Sequence, residues 1–308
     1  MTVESSQAPT ALSLWNRVPV LIRAPIVGLL VLTVGQFLTG PVIQGNLRFL
    51  PTVPWALPAA ALILWVYWWY LSGRGWPGST AEARRIGLRG GNVPSGLWGP
   101  SLLAGGCAML AIISLRFLLP RLFGMEEPSI SIDLAGYPIW TVLGVAFAVA
   151  LTAGVVEEAG LRGYLQGSLE RRYGLWFAVL LTGVIFWAVH LTHDWVGLPH
   201  LVFHVAVSVA LGVLTSFVGS IRPAVVIHTV VDMIVLPLYV FRPPAIWGVL
   251  TAQSISETGW MWSDALLIGL LAVFTFAAVM SLSRLRRLAA DERLPRAPAV
   301  NQAQGGGD

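Results

Sequence analysis

Glu157, Glu158 and Arg162 lie together near the end of an apolar run of this chain. Two later apolar runs carry Phe186 with His190, and His228 with Asp232, each pair spaced i,i+4 so that both members share a helix face. A charge at the centre of a bilayer costs from about 2.5 to more than 10 kcal/mol, so such residues in apolar surroundings call for a functional reason. Carboxylates and imidazoles in that setting suit acid–base chemistry, in which one group takes a proton from water and another donates to developing negative charge. Glu158 and Arg162 have the favourable acid-first i,i+4 order for an ion pair, whereas Glu157 points about 100° away around the helix and is left free to act as a base. Asp232 beside His228 can fix that imidazole's tautomer and orientation, and the pair could meet an oxyanion or complete a metal site.

These residues need helices to bring them together. If the runs 138–167 and 175–193 form an antiparallel pair joined at Arg171 to Gly174, Glu157 and His190 lie about 21 and 24 Å from the turn, at nearly the same depth. His228 is harder to place. It follows Pro223 by only about 8 Å of helix, so it meets Glu157 only if the link from Gly219 to Arg222 dips into the protein. A structural polar cluster, or a proton or ion pathway, is the competing reading of the same residues. His193, His200 and His204 have no matching acidic partner and are expected to pack between helices or at the interface, although His200 and His204, at i,i+4, could line the same cavity.

The whole chain fits a membrane setting. Its 308 residues are 56% hydrophobic and 11% charged, with a mean hydropathy of +0.74. Eight windows have the length and composition of a transmembrane helix: near 24–43, 54–72, 97–119, 138–167, 175–193, 199–219, 223–241 and 261–283. The expected fold is therefore all-α, a polytopic bundle of about eight helices around an intramembrane active-site cavity. A cytoplasmic segment, 1–23, precedes a membrane domain, 24–283, with its motif core at 138–241, and a disordered cytoplasmic tail, 284–308, follows.

Every one of the 19 basic residues is arginine, which excludes Schiff-base and Ser/Lys dyad chemistry. Fourteen of them fall on the two ends and the even-numbered links, so the positive-inside rule places both termini in the cytoplasm of a multi-pass cell-membrane protein. The sequence pI of about 9.7 is explained by these topology signals and anionic headgroups rather than by nucleic acid. No cleavable signal peptide is expected, because the first apolar run is long enough to span. Cys107, the single cysteine, excludes disulfides and cysteine-rich metal sites and reads as a small buried hydrophobe. A short interfacial helix is expected around Ala81 to Ile86, and an aromatic belt at Trp65, Trp68, Trp69, Tyr67 and Tyr70. The absence of HExxH and of a GxSx serine with a histidine partner removes two other protease classes.

The three motifs, in order, resemble the CPBP family, which contains the type II CAAX prenyl endopeptidases and the ABI bacteriocin-immunity homologues. EExxxR corresponds to Glu157, Glu158 and Arg162, followed by Gly163; FxxxH to Phe186 and His190; and the third motif to His228 and Asp232. The resemblance implies an intramembrane endopeptidase that cuts a membrane-associated protein or peptide, with Glu157 and His190 activating water and His228 and Asp232 stabilising the oxyanion. Glu158, Arg162 and Phe186 would support them. Asp232 stands where prenyl endopeptidases usually have Asn, and an ionised carboxylate only accepts hydrogen bonds. The family has been described both as glutamate proteases and as metalloendopeptidases, so two cofactor readings stay open: none, or a divalent ion such as Zn2+ on Glu157, His190 and His228. Prenylated CAAX substrates belong to eukaryotic and archaeal members, and a non-prenylated substrate is equally compatible. The alternative function is a non-catalytic immunity or adaptor protein that binds a partner in the same cavity; a proton-coupled carrier is a third, disfavoured by the lack of an internal repeat.

Overall fold

A computed structural model describes residue 15 and residues 17–124, 136–191, 197–241 and 254–293. Glu126, Glu127, Asp133, His193 and Arg242 lie outside the described residues, as does the chain from residue 294 onward. Among the described residues there is no strand, and the chain is an all-α polytopic membrane protein.

Helices account for the architecture because a spanning segment must satisfy its backbone N–H and C=O groups within itself. The apolar helices are α1 (Val20–Phe49), α2 (Ala56–Leu71), α4 (Ser95–Phe123), α5 (Ile139–Glu157), α7 (Leu175–His190), α8 (Leu198–Val218), α9 (Arg222–Phe241) and α11 (Trp262–Arg293). Short helices α3 (Ala81–Leu88), α6 (Gly167–Tyr173) and α10 (Ile255–Thr258) complete the set. Between α5 and α6 the backbone widens into a π-helical segment, Glu158–Gln166, so that α5, this segment and α6 run on as one rod. The expected count of eight spans is not reached by length and hydropathy alone. Five helices qualify, whereas α2 and α7 have only 16 residues each. Helix α9 carries Arg222, His228 and Asp232 among its 20 residues and is not among the five.

The expected tail begins too early, since α11 continues through residues 284–293, where Leu285 and Ala289 are buried. Similarly, α1 begins at Val20, inside the segment expected to precede the first span. A short helix, α3, stands where the interfacial one was expected. Arg84 of α3 organises the link before it, donating to the carbonyls of Tyr70, Arg74, Gly75 and Pro77. The aromatic belt divides: Trp65 is exposed, whereas Tyr67 is buried and donates its hydroxyl to the Val31 carbonyl of α1 at 2.5 Å.

Helix α4 packs along α11, and a buried ion pair locks their ends. Arg121 donates Nε and one Nη to the two carboxylate oxygens of Asp264 at 2.8 and 2.7 Å, and its guanidinium also reaches Thr258 Oγ1 and the Gly259 carbonyl. Arg121→Ala strands the Asp264 carboxylate in the interior. It should cost about 3 kcal/mol, read as an earlier thermal-unfolding midpoint in detergent.

The turn between α8 and α9 solves the problem of depth. Gly219 takes φ +78°, a left-handed turn that a side chain resists. The turn is then held under the link 89–91: Ile221 N–H donates to the Arg89 carbonyl at 3.0 Å, Ser220 Oγ to Gly91 at 2.7 Å and Arg222 Nε to Gly90 at 2.9 Å. On its other side this link region lies against the π segment, where a Cβ on Gly163 would meet the carbonyl oxygens of Leu88 and Gly87 at 2.8 and 3.0 Å. Helix α9 therefore starts level with Gly163, not with the turn at Arg171 to Gly174. Six residues up α9 from Arg222 and five up the π segment from Gly163 each rise roughly 7 to 9 Å, which brings His228 level with Glu158. Gly163→Ala pushes into backbone on that layer and should destabilise the fold by about 1 to 3 kcal/mol in the same unfolding assay.

Candidate active site

His228 is the hub of the site. Its Nδ1 lies 2.9 Å from Glu158 Oε1, and its Nε2 lies 3.5 Å from Asp232 Oδ2 and 3.9 Å from Glu157 Oε2. Both ring nitrogens face carboxylate oxygens, which only accept, so the ring is cast as a donor on both sides. Glu157, Glu158 and His228 are buried, and the Asp232 side chain is 26% exposed and forms the open edge.

Glu158 also pairs with Arg162, Oε1 to Nη1 at 3.1 Å, with both side chains fully buried. The expected ion pair is therefore present, but Glu158 is more than its partner, because the same oxygen receives His228. The π geometry permits this. A wider turn after Glu157 changes the angular spacing of the following residues, so that both glutamates reach α9 rather than pointing away from each other, and such segments are frequent at functional sites. Arg162 then places its guanidinium over the Phe186 ring, 4.9 Å from its centre.

His190 ends α7 and stands edge-on to Phe186, with ring centres 4.8 Å apart. Its Nδ1 is 2.8 Å from the Phe186 carbonyl. A carbonyl accepts only, so Nδ1 is the donor in this contact. Glu157 lies within electrostatic range of His190, His228, Asp232 and Arg162. All the expected site residues thus come together: Glu157, Glu158, Arg162, Phe186, His190, His228 and Asp232.

His204, expected to pack between helices or to line the cavity with His200, also joins them. His204 is buried, with its ring 4.6 Å from His190 and 5.0 Å from Phe186. Its i,i+4 relation to His200 was visible in the sequence and is real, since His204 Nδ1 contacts the His200 carbonyl at 2.7 Å. That spacing showed a shared helix face, but not which helix the face met.

The metal reading does not fit these contacts. A ligand set needs three side chains turned to one point with lone pairs free, yet among the described residues no three His, Cys, Asp or Glu side chains are so arranged. His228 is engaged by carboxylates at both nitrogens, so in this arrangement Glu157, His190 and His228 do not present a ready set of ligands to a divalent ion.

Comparison with known proteins bears on this segment. The family model described as type II CAAX prenyl endopeptidase Rce1-like matches residues 138–234. No curated protein and no solved structure matches the chain. The match spans α5, the π segment, α7, α8 and most of α9, and so contains every residue of the site. Residues 138–234 thus match the Rce1-like family model over the segment that carries the EExxxR, FxxxH and His/Asp motifs, and in this segment the chain is similar to the type II CAAX prenyl endopeptidases.

Proposed function

We propose that this protein is an intramembrane endopeptidase that hydrolyses a peptide bond of a membrane-associated protein or peptide, in the cell membrane with both termini cytoplasmic. The observation that carries the reading is the meeting of Glu157, His190, His228 and Asp232 from three separate helices in one site, with Glu157 and His228 buried and Asp232 at its open edge. Glu157 takes a proton from water while His190 Nε2 orients it, and the hydroxide oxygen bonds to the scissile carbonyl carbon. The carbonyl oxygen becomes an oxyanion that accepts from His228 Nε2–H, which Glu158 holds from the opposite nitrogen. The proton on Glu157 then passes to the leaving nitrogen as the C–N bond breaks. Asp232 orients His228 at the open edge, a role that an acceptor can fill where an Asn-like donor role cannot.

Hydrolysis leaves an isotopic mark. In membranes incubated in heavy-oxygen water, products should carry one heavy oxygen in the new C-terminal carboxylate. A carrier or a non-catalytic immunity or adaptor protein yields no such peptide.

A further inference from the structure

We infer that Gly154 is a positioning residue for the reaction, the spacer that sets how far the base Glu157 stands from the oxyanion donor His228; this rests on the endopeptidase reading. Gly154 lies in α5, three residues before Glu157 and four before Glu158, one helical turn away and on the side that they share. Facing it is Thr229 of α9, the residue after His228. A Cβ on Gly154 would run into the Thr229 hydroxyl and would lie 3.0 and 3.1 Å from the Thr229 backbone N and Cα. The two helices therefore touch backbone to backbone at this point, an approach that a hydrogen at position 154 allows and a methyl does not.

That approach brings the site together. His228 Nδ1 meets Glu158 Oε1 at 2.9 Å and its Nε2 stands 3.9 Å from Glu157 Oε2, and both spans cross from the α5 rod to α9. Asp232 rides on α9 with His228, so their 3.5 Å contact does not depend on the spacing. What lies behind the rod decides which helix yields. Val156, fully buried, fills the space over Gly35 of α1, where a Cβ would meet its two methyl groups at 2.6 and 2.7 Å. Farther along, Gly28 of α1 and Gly160 press together, each Cβ position lying 2.7 Å from the other's carbonyl oxygen. The rod is seated on α1 and has no room to retreat. Helix α9 has an open outer side, where Val226, Val230 and Ile234 are exposed. A side chain at 154 therefore displaces α9 and carries His228 and Asp232 together away from both glutamates. A misplacement of about 1 Å in such groups costs about a hundredfold in rate.

The test uses the full-length protein in lipid nanodiscs. Gly154→Ala should lower kcat about tenfold or more at unchanged KM. Thr229→Ala removes a hydroxyl that has no hydrogen-bond partner among the described residues, and should stay within about threefold of wild type. Combining the two removes the atom that the new methyl strikes and leaves the backbone contacts, which a shift of a few tenths of an ångström relieves, so the double variant should return to within about threefold of wild type. A second readout needs no substrate. With nitrogen-15 histidine, and the five rings assigned by single substitution, Gly154→Ala should move the His228 Nδ1 signal, whose partner Glu158 lies across the interface, more than the Nε2 signal, and the double variant should restore it. Wild-type kcat in Gly154→Ala overturns the proposal, as does an unmoved His228 signal, or a loss of activity or fold that Thr229→Ala does not repair. If the signals move and return as expected while no form of the protein, wild type included, yields peptide products, the endopeptidase reading fails and the spacer stands.

Discussion

Glu157→Gln should lower turnover by about 10² to 10⁴-fold, the usual contribution of a positioned general base, with little change in substrate binding. The amide keeps the size of the side chain, and the parent carboxylate lies 3.9 Å from His228 Nε2, beyond hydrogen-bond range, so the site should keep its shape. What it loses is the capacity to take a proton from water. The check is kcat and KM on a cleaved membrane substrate, together with the unfolding midpoint of the purified variant. A loss of rate with an unchanged midpoint separates a base from a structural glutamate. Wild-type turnover in this variant would remove Glu157 from the chemistry.

Glu158→Gln is expected to be worse for the fold. The carboxylate faces two groups at once, Arg162 at 3.1 Å and His228 at 2.9 Å, and all three are buried. Removing its charge leaves the Arg162 guanidinium in the interior without a counter-charge, which typically costs about 3 to 5 kcal/mol. It also loosens His228 at Nδ1, so turnover falls with stability. Replacing both members, Glu158→Gln with Arg162→Gln, removes the stranded charge and should recover part of the lost stability without recovering turnover. Unfolding of the two single variants and the double variant forms a cycle whose coupling energy reports the pair directly. Additive losses would mean that the two groups act apart.

The two neighbouring glutamates show how much of the site could be read in the sequence. The i,i+4 order of Glu158 and Arg162 announced their ion pair, and counting residues from the turn at Arg171 to Gly174 placed Glu157 and His190 at one depth. Both inferences need only the local geometry of a helix, which sequence spacing encodes. The double engagement of Glu158 could not be read that way, since it depends on the π-helical stretch at Glu158–Gln166, and an α-helical wheel sends the two glutamates in different directions. The depth of His228 was likewise hidden. It is set by where α9 starts, and that start is fixed by tertiary hydrogen bonds from Ile221, Ser220 and Arg222 to the link 89–91, far away in the chain. His204 failed to stand out for a third reason. The expected signal for a functional histidine was an acidic partner, and its partners are aromatic rings and a carbonyl. Helix placement followed hydropathy closely, while the end of α11 ran past the apolar window because a helix already nucleated continues through Arg284 to Arg293 at little cost.

The most direct measurement is a comparison of membrane-derived peptides from cells that express the wild-type chain or Glu157→Gln at equal levels. Cleavage at this site predicts a set of peptides, and matching truncated membrane proteins, that are present with the wild type and missing with the variant. Identical peptide profiles, with the variant folded and any partner binding or cellular protection intact, would contradict proteolysis and leave a membrane protein that uses the cavity for binding alone.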